Sequence, residues 1–137
     1  MKYLLDANVI IALMNQSSTR VLSNFENAVL AQSEIYLSSI VIHELWFGVA
    51  KSDRIAANTE VLRNFLAKGF ETLPFVNTDA ETAGSIRATL KIAGTPIGAY
   101  DTLIAGQALA RDLTLVTANT REFSRVNGLK LADWTQV

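Results

Sequence analysis

Three acidic residues, Asp6, Glu44 and Asp101, stand where the surrounding sequence is apolar. Asp6 ends the run Tyr3-Leu4-Leu5. Glu44 lies inside Ile40-Val41-Ile42-His43-Glu44-Leu45-Trp46-Phe47, and Asp101 opens Tyr100-Asp101-Thr102-Leu103-Ile104-Ala105. Charged side chains are rarely buried unless paired or bound to a cation. Three of them, far apart in sequence, suggest a fold that gathers acids around a hard divalent cation such as Mg²⁺ or Mn²⁺. Such an ion activates water and polarises a phosphodiester, so hydrolysis needs no serine, cysteine or histidine nucleophile. Two unit charges about 4 Å apart repel by roughly 4 kcal/mol at an effective dielectric of about 20. A metal-free cluster should therefore show raised carboxylate pKa values.

Each acid also has an ordinary structural use. Asp6 and Asp101 can each cap a helix. Glu44 is harder to explain that way. On a helix it shares a face with Val41, Leu45 and Gly48, so its carboxylate sits among apolar neighbours. Glu122 and Asn119 lie close together further on, where a loop acid or a turn residue is commonplace. His43 reads more simply as a partly exposed helix residue than as a ligand.

The elements that must position these groups alternate. Lys2 to Leu5 reads as a buried strand. Val9, Ile10, Leu13 and Met14 follow at helical spacing, with Asn8 available as a cap. A second amphipathic helix holds Val21, Leu22, Phe25, Val29 and Leu30. Ile35-Tyr36-Leu37 is strand-like, and Ser38-Ser39 caps the helix that carries Glu44. Ile55, Leu62, Phe65 and Leu66 mark another helix, stopped at Gly69. Thr72 to Phe75 is extended. Thr78-Asp79-Ala80-Glu81 has capping-box spacing, with Thr78 as the cap of a helix ending near Gly94. Tyr100 to Arg111 is an Ala-rich helix, apolar nearly all round and therefore central. Leu113 to Thr117 is the clearest strand, Asn119 to Phe123 a turn or short helix, and Leu129-Lys130-Leu131 a last strand.

Apolar strands alternating with helices predict an α/β fold, a parallel sheet with helices on both faces. Ligands of such sheets collect at the carboxyl ends of the strands. Asp6 follows the first strand, Glu44 lies about two turns past Leu37, Asp101 starts the central helix, and Glu122 follows the strand ending at Thr117. All four can converge there.

Composition sets the outer bounds. The 137 residues are half hydrophobic and 18% charged, which fits one domain over 1–137 and excludes a disordered chain. Without cysteine there is neither a disulfide scaffold nor a thiolate metal site, and one histidine argues against a His-rich zinc site. No apolar run approaches the roughly 20 residues of a membrane helix, and a cytoplasmic protein is expected. The net charge of −1 is not that of a strong nucleic-acid binder, although acids gathered around a cation leave the rest of the surface mildly basic.

Four segments, in order, resemble the PIN-domain ribonucleases, specifically the VapC toxins of type II toxin–antitoxin pairs. They are Leu4-Leu5-Asp6-Ala7-Asn8, Ser38 to Gly48, Gly94 to Ala105, and Leu115-Val116-Thr117-Ala118-Asn119-Thr120-Arg121-Glu122-Phe123, followed by Gly128-Leu129 and Asp133-Trp134. The resemblance implies a PIN-like three-layer sandwich and a Mg²⁺- or Mn²⁺-dependent endoribonuclease. Asp6, Glu44 and Asp101 match the three principal acidic positions. Asp6 and Asp101 are implied as direct metal ligands, with Glu44 ligating or positioning water. The fourth position falls on Glu122 or Asn119, and Glu122 is favoured, with Asn119 supporting it. One departure is visible, since the family's Asp-Thr-Asn is Asp6-Ala7-Asn8 here. The hydroxyl beside the site is lost, and Asn8 is left to orient Asp6.

The resemblance also implies partners. These are a cognate VapB-type antitoxin, operator DNA reached only through it, a homodimer and a larger hetero-oligomer with the antitoxin. The helices from Val21 to Leu30 and from Ile55 to Leu66 are expected walls of the antitoxin groove, with Phe65 among their apolar residues. The implied substrate is structured RNA, in particular tRNA at or beside the anticodon loop, with initiator tRNA the leading expectation. Translation would stop as a result. Arg87, Lys91, Arg121, Arg125 and Lys130 are candidate phosphate contacts, each also readable as ordinary solvated surface. Two competing classes remain. One is a catalytically weak PIN-like binding module acting through its antitoxin complex. The other, a phosphatase with a nucleophilic aspartate, would need a second acid two residues after Asp6, where Asn8 stands.

Overall fold

The structure, a computed structural model, describes residues 1–136. Five strands form one sheet in the order β3-β2-β1-β4-β5, and every neighbouring pair is parallel. The strands are β1 (Lys2–Leu5), β2 (Glu34–Ser38), β3 (Glu71–Leu73), β4 (Thr114–Val116) and β5 (Lys130–Ala132). Between them run α1 (Ala7–Asn15), α2 (Thr19–Leu30), α3 (Ser39–Ala50), α4 (Ile55–Leu66), α5 (Asn77–Ile92), α6 (Ala99–Ala110) and the single turn α7 (Thr120–Phe123). Helices cover both faces of the sheet, giving the three-layer PIN-like sandwich expected. The central strands β1 and β4 end in fully buried pairs, Leu4-Leu5 and Leu115-Val116, as a sheet covered on both sides requires.

Because all strands run the same way, their carboxyl ends share one edge. Register makes this concrete: Leu5 pairs with Val116 and Ser38 with Leu73. The ladder continues past β1, where Asp6 N–H donates to the Val116 carbonyl at 2.9 Å. Asp6 and Thr117 therefore leave the central strands side by side.

The central helix α6 packs on α5, and Gly106 is what lets it. A Cβ on Gly106 would fall 2.5 Å from that of Ala83, closer than real carbons approach. Six α6 residues from Thr102 to Ala108 are buried, so this helix is central as expected. Helix α4 ends at Leu66 with Ala67 as its C-cap, and Gly69, at φ +89°, turns the chain two residues later.

Two expected caps move. Helix α1 is capped by Asp6, whose Oδ1 accepts from Ala7 N–H at 2.8 Å, and Asn8 is exposed inside the helix. The carboxylate directly before the first turn reaches the free amide first. Helix α5 is capped at Val76, two residues before Thr78. Asp79, not Glu81, occupies the third position and accepts from Val76 N–H at 2.9 Å. Asp79 is wholly buried and paired with Arg111 at 2.9 Å, which fixes it at the start of the helix.

Candidate active site

Each of the four carboxylates reaches the sheet's carboxyl edge by a different local device. Asp6 comes straight off β1. Ser38 ends β2 and caps α3, its Oγ accepting from Ile40 N–H at 3.1 Å, which aims the helix bearing Glu44. Gly98 precedes α6 and brings its backbone against Asp101. A Cβ there would sit 3.4 Å from Asp101 Oδ2. Asn119 precedes the short α7, and its side-chain amide donates to Glu122 Oε2 at 3.1 Å.

The electrostatics report the convergence. Glu44 is pushed above the ordinary carboxylate range by burial first, then by the charges of Asp6 and Asp101. Asp101 is pushed up by burial, then by Asp6 and Glu122. Four acids from distant parts of the chain thus feel one another through partly desolvated space. Asn119 and Glu122 lie side by side here, joined by that hydrogen bond.

Glu44 Oε1 is buried and has no hydrogen-bond partner among the described residues. A buried carboxylate oxygen left without a donor is costly. An all-oxygen set with one orphaned carboxylate atom suits a hard cation, and Mg²⁺ or Mn²⁺ fits these residues. Among the described residues, no three His, Asp or Glu side chains stand close enough together to hold an ion.

A residue absent from the sequence reading of the site joins it. Thr117 is 1% exposed, donates its hydroxyl to Asp6 Oδ2 at 2.8 Å, and accepts from Asn119 N–H at 3.0 Å. With Ala7 N–H on Oδ1, both Asp6 oxygens are held, and Asn8 makes no such bond. The signal was present in Val116-Thr117 at a strand end. Only the β1–β4 register shows that this strand end lies beside Asp6.

Next to the acids, α1, α3 and α4 enclose a groove of about 680 Å³ that includes Ala7, Glu44, Val61 and Leu62. Asn58, Val61 and Leu62 of α4 line this groove and no residue of α2 does, while Phe25 of α2 packs against Phe70 and Trp134. Phe65 faces inward at 5% exposure, stacked on Phe70 at 5.2 Å. Two of the candidate phosphate contacts are engaged within the chain: Lys130 with Asp112 at 2.7 Å, and Arg125 with the Pro96 carbonyl at 3.1 Å.

Residues 3–129 match the PIN domain family. The chain is 36% identical over 135 residues to the tRNA(fMet)-specific endonuclease VapC of Shigella flexneri, covering 98% of this chain and 99% of that protein. It belongs to the VapC family of PIN-domain proteins. A second VapC relative, Ribonuclease VapC2 of Rickettsia felis, is 37% identical, with 98% of each chain covered. The fold is similar to a chain of VapBC2 from Rickettsia felis, solved bound to a DNA fragment from its promoter. The TM-score is 0.90 at 35% identity, over 98% of this chain and 99% of that one. It is also similar to a chain of the DNA-bound VapBC of Salmonella typhimurium, with a TM-score of 0.88 at 35% identity, over 98% of each chain.

Proposed function

We propose that this chain is the toxin of a VapBC-type pair, a metal-dependent endoribonuclease that cuts structured RNA, with initiator tRNA as its substrate. The observation that carries the reading is the buried, partnerless Glu44 Oε1 facing acids that raise its pKa. A bound Mg²⁺ or Mn²⁺ supplies water activation and polarisation of the phosphodiester. The chain supplies the rest. Asp6 and Asp101 would hold the ion, and Glu44 would ligate it or position water. Glu122, steadied by Asn119, completes the negative rim, and Thr117 fixes Asp6.

The VapC relatives named for tRNA(fMet) support the substrate, and the VapBC complexes support a cognate VapB-type antitoxin that silences this chain and carries it to operator DNA. A homodimer, a larger complex with antitoxin, and one PIN domain spanning residues 1–137 belong to the same reading, as does arrest of translation in the cytoplasm. No helix among the described residues is long and apolar enough to cross a membrane.

The test is cleavage of total bacterial RNA by antitoxin-free protein with Mg²⁺ or Mn²⁺, beside Asp6→Ala, Asp101→Ala and an EDTA control. A discrete tRNA cut lost in all three is expected. No cut by folded, metal-loaded wild type, or equal cutting by the variants, overturns the reading.

A further inference from the structure

Several of the chain's ring pairs lie in its interior. Tyr3 meets Trp134, Phe25 meets Trp134 and Phe70, and Phe65 stacks on Phe70. Another set does not. His43 and Tyr100 touch at 5.3 Å between ring centroids, tilted by 48°, and both are exposed, Tyr100 by 49%. Phe47, one turn beyond His43 on α3, is 60% exposed. Lys51, a further turn along, rests its ammonium 5.1 Å from the Phe47 ring centre.

The placement of these rings follows from sequence. His43 immediately precedes Glu44, and Tyr100 immediately precedes Asp101. Successive helix residues point about 100° apart, so each ring flanks its acid without competing for the same space. His43, Phe47 and Lys51 recur every four residues and make one stripe along α3. All four side chains border the groove that also contains Glu44. An aromatic ledge therefore starts at the acids and ends at a cation. Burial in the core does not explain exposed rings in this order.

We propose that Tyr100, braced by His43, and Phe47 form a stacking platform for unpaired bases of the RNA substrate, with Lys51 receiving a backbone phosphate. The proposal rests on the ribonuclease reading and adds the side chains that would hold the unpaired bases beside the acids. Its chemistry is that of single-strand recognition, in which flat π-faces take successive bases and a cation tracks the backbone. His43 and Tyr100 are already in ring contact, so no base enters between them. The first base stacks on the open face of Tyr100, beside Asp101, which sets the adjoining phosphate at the acids. The next lies toward Phe47. On binding, Lys51 exchanges its cation–π contact for a phosphate.

The probe is an RNA hairpin carrying 2-aminopurine in its loop, held with Ca²⁺ in place of Mg²⁺ and checked on a gel to be intact. Wild type is expected to bind it and quench the fluorophore. Tyr100→Leu should bind about tenfold more weakly and lose the quench, Phe47→Leu should weaken binding severalfold, and Tyr100→Phe should behave as wild type. Loop-free duplex RNA should bind all four alike. Mn²⁺ affinity by calorimetry should be unchanged throughout, which separates stacking from damage to the acids. Both substituted positions are exposed, so the variants keep their fold.

Equal affinity and quench in Tyr100→Leu overturns the platform while leaving the ribonuclease reading intact. Wild type that binds Mn²⁺ but no RNA overturns both. Light scattering that shows either leucine variant splitting an oligomer, with hairpin affinity unchanged, makes the ledge a protein–protein surface and also overturns the proposal.

Discussion

Asp6 receives a donor on each oxygen, whereas Glu44 has a buried oxygen with none. On the proposed reading, Asp6 is a ligand already held in place and Glu44 is the acid that a cation would partner. Residues that orient a metal ligand through a hydrogen bond typically alter metal affinity by about 10- to 100-fold when removed. Thr117→Val should therefore weaken Mn²⁺ binding at least about tenfold by calorimetry, while Thr117→Ser, which keeps the hydroxyl, should bind as wild type. Glu44 gives a pH prediction of definite sign. Its raised pKa means that the folded protein binds more protons than the unfolded chain between the ordinary carboxylate range and the raised value. Stability is then lost as pH rises through that window and stays lost above it. Metal-free Glu44→Gln should accordingly unfold at higher urea than wild type at neutral pH. The difference should close as the pH is lowered through the window.

At the scale of elements, the fixed point is the junction of β3, α5 and α6. Arg111 follows α6 and grips Asp79 at both oxygens, from Nε at 3.1 Å and Nη2 at 2.9 Å. It also donates to the Pro74 carbonyl at 2.8 Å. Gln107, wholly buried, donates to the Leu73 carbonyl at 3.1 Å. These bonds lock the far end of α6, the helix that carries Asp101 in its first turn. Burial raises the pKa of Asp79, but the hydrogen bonds from Arg111 and Val76 N–H and the Arg111 charge outweigh it and leave the carboxyl lowered. Removing one partner of a buried ion pair costs about 3–5 kcal/mol. Asp79→Asn should lose about that much at neutral pH in urea unfolding. A lowered carboxylate pKa contributes stability above the ordinary range that is lost as pH falls through the lowered value. The gap between variant and wild type should therefore narrow in strong acid.

For the whole molecule, the proposed metal site would couple folding to metal binding. The sheet holds the acids together against their repulsion, and a cation that binds only the folded chain returns stability. At a free ion concentration about 100-fold above Kd the gain is roughly 2.7 kcal/mol. Saturating Mn²⁺ should raise the melting temperature of wild type at neutral pH, and should do so much less for Asp101→Asn, read by calorimetric scanning. An equal rise in both would mean that the ion binds elsewhere.

Local sequence determined a good deal by itself. Uninterrupted apolar strands alternating with amphipathic helices fix a covered parallel sheet, because unbroken Leu-Leu and Leu-Val pairs tolerate no solvent face. Glu44 among Val41, Leu45 and Gly48 marked itself as an acid on an apolar face, because helix spacing alone decides which residues share a face, and one of its oxygens is buried. Tertiary structure decided what depends on distance between chain segments. The Thr117–Asp6 bond spans strands that are neighbours only through register. Phe65 faces the core and not the groove because Phe70 returns to cover it. The α5 cap moved from Thr78 to Val76 because Asp79 is claimed by Arg111, 32 residues away, an attraction that no local capping pattern contains.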